Sequence, residues 1–286
     1  MASTIQLVGV VGGGQMGSGI AEVCARAGLD TVVVEISDTA ADAARDRVRS
    51  SLDRAASRGK VSEAEAEAIA GRITFSADFE TLADRDLVVE AASEVERVKL
   101  DVFTKVGALL TQPDAILASN TSSIPIVKLG AVSDRPGQVM GVHFFNPAPV
   151  MQLVELIPSL TTAPESLERM RDFVTHGLGK QPIEATDRAG FVVNSLLVPY
   201  LLSAIRMYEA GYASLKDIDK GMVLGCGHPM GPLALADLIG LDTIRAIGIS
   251  MYDEFKEPLY SPPPLLDRMV DAGLLGKKTG QGFYPY

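Results

Sequence analysis

The 286-residue chain contains no tryptophan, two cysteines and three histidines, and it has little positive charge, with 26 Lys and Arg against 36 Asp and Glu. Each shortage removes a class of protein. Cys24 and Cys226 stand far apart with no CxxC spacing, which excludes a disulfide scaffold and a cysteine-built zinc module and points to a reduced, cytoplasmic compartment. Three scattered histidines predict no metal centre. A formal charge of −10 excludes a general nucleic-acid binder and a protein drawn to anionic membrane. No stretch reaches the roughly 20 apolar residues of a membrane-spanning helix; the most apolar, LLVPYLLSAI, is interrupted by Pro199 and ends at Arg206. The start, MASTIQLVGVV, has no basic segment, and its apolar run is soon broken by glycine, so no signal peptide is expected there.

What is present is alternation. IQLVGVV, TVVVE, DLVVEA, AILAS and QVMGVHFF are short apolar segments rich in Val and Ile, with helix-compatible stretches between most of them. Buried strands alternating with helices imply a parallel sheet covered on both faces. MQLVELI and QPIEAT continue the strand signals to about residue 187. Beyond it they stop, and FVVNSLLVPYLLSAIRMYEAG, SLKDIDKGMVLG, PLALADLIGLDTIRAIGISMYDEF and PPLLDRMVDAG read as helices punctuated by Gly and Pro. The reading is an α/β, Rossmann-type, mostly parallel sheet domain over residues 1–187, followed by an all-helical C-terminal domain over 188–286.

The glycines cluster at the first strand's end. Gly12, Gly14 and Gly17 form GxGxxG between the strand QLVGVV and the helix-compatible QMGSGIAEVCARAG. In such a unit the first glycine makes the tight turn, the second lets a diphosphate touch the backbone, and the third lets helix and strand pack closely. Gln15 and Met16, inside the same turn, join the candidate cofactor contacts. The free N–H groups at the helix start favour the anion. TVVVE then ends in Glu35, a carboxylate placed to bind ribose hydroxyls and to repel a 2′-phosphate, so NAD is favoured over NADP.

Two other features carry chemistry. Residues 45–60, RDRVRSSLDRAASRGK, hold six basic residues against Asp46 and Asp53. Such a run serves either as a solvated helix face or as a dock for an anionic group such as the phosphates of a coenzyme A thioester, with Arg54, Arg58 and Lys60 as candidates. The histidines divide readily. His176 lies near a helix end, where capping is the simpler role, and His228 sits in a glycine–proline turn with no acidic partner nearby. His143 stands just past a strand end, where open α/β sheets place their ligands, and Glu155 lies in the following strand. A histidine oriented by a carboxylate is the arrangement that removes a hydroxyl proton near neutral pH; a histidine hydrogen-bonded at a turn is the other reading.

GVVGGGQMGSGIA, VEAASEVERVKLDVF, ASNTSSIPI, GVHFFNPAPVMQLVELI, DRAGFVVNSLLVPYL and HPMGPLALADLIGLD, with the tail GKKTGQGFYPY, resemble the short-chain L-3-hydroxyacyl-CoA dehydrogenases, particularly the bacterial 3-hydroxybutyryl-CoA type, in order and over nearly the whole chain. The resemblance implies an N-terminal NAD-binding domain, a helical domain that forms a homodimer, and an active site between the two. It implies that His143 and Glu155 are the catalytic pair, that Ser122 and Asn194 bind substrate, and that Glu94, Lys99 and Asn120 join the NAD contacts. Two departures are modest: Gly13 stands where many relatives have Ala, and Glu35 where Asp is commoner. The family's coenzyme A-binding helices match the basic segment less closely. The 3-hydroxyisobutyrate type of dehydrogenase is disfavoured because its catalytic lysine, four residues before the helix asparagine, is Gly190 here. A non-catalytic NAD-binding relative would have no need of Ser122, His143, Glu155 and Asn194 together. Acyl-chain length is not legible, since one methylene is worth only about 1–3 kcal/mol of discrimination.

Overall fold

The computed structural model describes residues 4–286. The chain divides into two compact units, one running to Asp187 and the other from Arg188.

In the first unit the strands are β1 (Leu7–Val11), β2 (Asp30–Val34), β3 (Ile73–Ser76), β4 (Leu87–Glu90), β5 (Ile116–Ser119), β6 (Val139–Phe144), β7 (Leu153–Pro158) and β8 (Gln181–Glu184). They form one sheet in the order β3-β2-β1-β4-β5-β6-β7-β8. All neighbours pair in parallel except β6 with β7. The first six follow the doubly wound order 3-2-1-4-5-6, whose reversal between β1 and β4 opens a crevice at the carboxyl ends of the strands. The valines of β1 and β2 and the apolar residues of β4 and β5 are buried, as a sheet covered on both faces requires. Strand β3 has no counterpart in the sequence reading: Ile-Thr-Phe-Ser is only four residues long, half polar, and lies at the sheet edge.

Helix α1 (Gln15–Arg26) follows β1 through the glycine turn, and its N-cap, Gly14, supplies no side-chain cap. Helix α2 (Asp38–Ser57) is capped by Ser37 and buries Ala41, Ala44, Val48 and Leu52 along one stripe, leaving its arginines on the other face. Helices α3 (Glu63–Ala70), α4 (Glu96–Leu109), α5 (Ile126–Val132) and α6 (Pro164–Asp172) complete the unit.

The second unit is helical: α7 (Val193–Glu209), α8 (Leu215–Cys226), α9 (Pro232–Ile239), α10 (Leu241–Phe255) and α11 (Pro264–Asp271). Leu201, Leu202, Ile205, Leu233, Leu241, Ile244 and Met251 form its core. The last residues are tied back to α9 by one carboxylate. Asp237 accepts from the N–H groups of Phe283 (2.9 Å) and Tyr284 (2.8 Å) and from the Tyr286 hydroxyl (3.2 Å). The approach is close enough that a Cβ on Gly282 would lie 2.0 Å from the Asp237 carboxylate. No helix among the described residues is long and apolar enough to cross a membrane.

Candidate active site

The site begins with strand register. β6 and β7 run antiparallel with His143 directly opposite Glu155, and directly opposed residues of an antiparallel pair project on the same face. Both side chains are buried, and His143 Nδ1 lies 2.7 Å from Glu155 Oε2. A carboxylate acceptor there puts the proton of the neutral ring on Nδ1, leaving Nε2 as the basic nitrogen. Nε2 faces the Ser122 hydroxyl at 3.1 Å. Phe145 packs edge-on to the imidazole, with ring centroids 4.8 Å apart. Three residues on three segments thus fix one ring and its tautomer.

Ser122 belongs to the turn after β5, which is held from below. Glu90, at the end of β4 and fully buried, accepts from Lys99 Nζ (2.7 Å), the Ser119 hydroxyl (2.6 Å) and the Ala92 N–H (2.7 Å). Glu94 accepts from the Ser122 N–H and the Ser123 hydroxyl, both at 2.9 Å, and from the Thr121 hydroxyl. Burial pushes the Glu94 carboxyl up, but the Lys99 ammonium and these donors outweigh it and hold the group below the usual carboxylate range. Lys99 is itself buried, its ammonium shared among Glu90, the Ala92 carbonyl and Glu94. Asn120 accepts from the Phe144 N–H at 2.8 Å, linking the ends of β5 and β6.

The glycine turn fits a dinucleotide. Gly12 has φ +92°, and a Cβ there would lie 2.8 Å from the backbone of Ala91 and Ala92. A Cβ on Gly17 would lie 1.8 Å from the Gly12 carbonyl oxygen, whereas one on Gly14 would meet nothing within 4 Å. The turn is therefore closed where helix meets strand and open at Gly14, the position that must admit a diphosphate. Glu35 reaches back to accept from the Gly13 N–H at 2.7 Å. Gln15 donates to Asn146 at 3.2 Å, while Met16 is packed against the core of the sheet domain.

Beside this turn lies a cleft of about 630 Å³, lined by Gln15, Ser18, Arg47, Ser51, Arg54 and Asn146 among others. Arg54 is on the cleft; Arg58, the C-cap of α2, and Lys60 beyond it are exposed and do not line it. Arg47 was not singled out from the sequence, although it lies two helical turns before Arg54 on one face of α2. It also donates to the Gly13 carbonyl at 3.2 Å. Glu90 was missed too, because nothing in LVVE distinguishes a buried acid from a strand-end acid. Asn194 stands half-buried in the first turn of α7 in the second unit. Of the other histidines, His176 pairs with Asp172 at 2.8 Å, and His228 Nδ1 lies 3.2 Å from the Tyr200 hydroxyl.

A doubly wound sheet with a dinucleotide turn, and a carboxylate-oriented histidine at its carboxyl edge, define an NAD-binding oxidoreductase domain. The chain belongs to the 3-hydroxyacyl-CoA dehydrogenase family: residues 7–188 match that family's NAD binding domain and residues 190–286 its C-terminal domain. It is 56% identical to the 3-hydroxybutyryl-CoA dehydrogenase of Mycobacterium tuberculosis over the full length of both chains. It is 40% identical to human mitochondrial hydroxyacyl-coenzyme A dehydrogenase, over 99% of this chain and 91% of that one. The crystal structure of (S)-3-hydroxybutyryl-CoA dehydrogenase PaaH1 from Ralstonia eutropha matches it with a TM-score of 0.92 at 45% identity, covering 99% of each chain.

Proposed function

We propose that this protein interconverts (S)-3-hydroxyacyl-CoA, of short chain and principally 3-hydroxybutyryl-CoA, and the 3-oxoacyl-CoA. The observation that supports it most is the Ser122–His143–Glu155 alignment at the carboxyl edge of a dinucleotide-binding sheet. Bound NAD supplies the hydride acceptor in oxidation, and NADH the donor in reduction. In oxidation, neutral His143 takes the 3-hydroxyl proton at Nε2, and Glu155 holds the Nδ1–H and favours the imidazolium that forms. In reduction, the imidazolium returns that proton to the carbonyl oxygen. Ser122 hydrogen-bonds the reacting oxygen, and Asn194 is assigned a second hydrogen bond to the substrate.

Gly12, Gly14, Gln15, Met16 and Gly17 are assigned to the diphosphate turn. Glu35 is assigned to the ribose that distinguishes NAD from NADP, and Glu94, Lys99 and Asn120 to the remaining cofactor contacts. Arg54, with Arg58 and Lys60 nearby, is assigned to the phosphates of coenzyme A; the cleft adds Arg47 to that set. The exposed Leu196, Tyr212 and Leu224 of the helical unit favour a homodimer through that unit, and a single-chain mass in light scattering would remove it.

The test is steady-state kinetics with a chain-length series of 3-hydroxyacyl-CoA esters and both nicotinamide cofactors. The highest kcat/KM should fall on a four-carbon ester with NAD. Equal or better turnover with NADP, or no turnover of any CoA ester, contradicts the assignment.

A further inference from the structure

The turn from Ser119 to Ile124 has an unusual dependence on acids outside it. Its hydroxyl and amide donors converge on two glutamates: Ser119 donates to Glu90, while Thr121, Ser122 and Ser123 all donate to the same Glu94 oxygen, Oε1. The Thr121 hydroxyl then accepts from the N–H groups of Ser123 (3.2 Å) and Ile124 (3.0 Å), so the bond to Glu94 also orders the inside of the turn. The other Glu94 oxygen lies 3.3 Å from Lys99 Nζ. Lys99 is anchored in turn on Glu90. Ser122 is thereby held twice, by its backbone on Glu94 and by its hydroxyl on His143 Nε2.

We infer that Glu94 is a positioning residue for the reaction, whose carboxylate sets the Ser122 hydroxyl against His143. A carboxylate is an acceptor with two oxygens and no donor, so it gathers several converging donors without an unmatched hydrogen. Charge-assisted bonds of this kind are shorter and stronger than neutral ones. The Lys99 ammonium and the donors of the turn favour the accepting, ionised form of Glu94 against the pull of burial. Without Glu94 the donors of the turn turn to water, and Ser122 loses the backbone anchor that fixes its side chain. The role is distinct from a cofactor contact, because every bond that carries it lies within the protein.

For the reaction itself the inference rests on the proposed function, and the experiment separates the two. Glu94→Ala, Glu94→Asp and Glu94→Gln are compared at saturating NADH with acetoacetyl-CoA, and the imidazole ¹⁵N signals of His143 are recorded in each protein with no ligand added. Glu94→Ala should lower kcat on the order of 10–10²-fold, the scale on which small misplacement acts, and should move the Nε2 signal. Glu94→Asp keeps the charge but withdraws the oxygens by about one carbon–carbon bond, roughly 1.5 Å, and should show both changes even where the alanine variant does not fold. Glu94→Gln still offers the turn one acceptor oxygen but loses the charge and turns an amide NH2 toward Lys99 Nζ, so it should recover only part of the loss in both measurements. Wild-type kcat in the alanine or aspartate variant once NADH saturates, or an unmoved Nε2 signal, overturns the inference and leaves Glu94 a cofactor contact only. If the wild-type protein does not reduce acetoacetyl-CoA, the proposed function falls, while the ligand-free His143 signal still decides whether Glu94 sets Ser122.

Discussion

A histidine with a carboxylate on one ring nitrogen and a serine hydroxyl on the other has its tautomer decided by its neighbours. His143 is in that position, and the consequence is specific. Glu155→Gln keeps the size of the side chain but removes the charge that favours the imidazolium, so kcat should fall by about 10² while KM changes little. A variant whose whole loss lies in KM would show that Glu155 serves binding and not proton transfer. At this scale legibility was uneven. His143 and Glu155 could be picked out because a histidine at one strand's end is followed by an acid in the next strand, and Ser122 and Asn194 only because the motifs around them resemble a family. Lys99, assigned to the cofactor, also has its ammonium buried among Glu90, Glu94 and a carbonyl. The partners all lie in the one turn that leads from β4 into α4, but sequence carries no sign that this turn folds back over the ammonium.

Among elements, the site depends on one antiparallel pair at the end of a parallel sheet. Shifting β7 by one residue against β6 would send Glu155 to the opposite face from His143. The turn at β1 depends on an equally tight fit. A Cβ on Gly13 would lie 2.3 Å from the Ala44 Cβ of α2 and 3.0 Å from a methyl of Val33. Neither Cβ can rotate away, so Gly13 is matched to Ala44. Gly13→Ala should destabilise the protein by about 1–3 kcal/mol in urea unfolding, and adding Ala44→Gly should restore part of it. Strict additivity of the two changes would mean that they do not touch in solution. The principal elements were legible because Val- and Ile-rich strands alternate with helices. Strand β3 was not, since four residues at an edge leave no apolar run to read.

For the whole molecule, the boundary between sheet and helices was legible as the place where strand signals stop. The closure of the C-terminal tail was not, because GQGFYPY is short, polar in part and without periodicity. Its anchor makes a pH-dependent prediction. Burial pushes the Asp237 carboxyl above its ordinary 3.8, against the pull of the Phe283 and Tyr284 N–H groups and the Tyr286 hydroxyl, with Asp219 adding repulsion. The folded state then binds more protons than the unfolded state just above pH 3.8, so this carboxyl's contribution to stability falls as pH rises through that range. The difference in unfolding free energy between wild type and Asp237→Asn should therefore shrink with rising pH, and a difference that grows would reverse the assignment. The proposed chemistry stands on the proton exchanged at one atom of the sheet domain, His143 Nε2. Its most direct test is kcat of His143→Gln for 3-hydroxybutyryl-CoA oxidation at saturating NAD, with NADH binding measured alongside by fluorescence. The account predicts a loss of about 10²–10⁴, the usual range for a general base, with NADH affinity close to wild type; retention of more than about a tenth of wild-type kcat would contradict it.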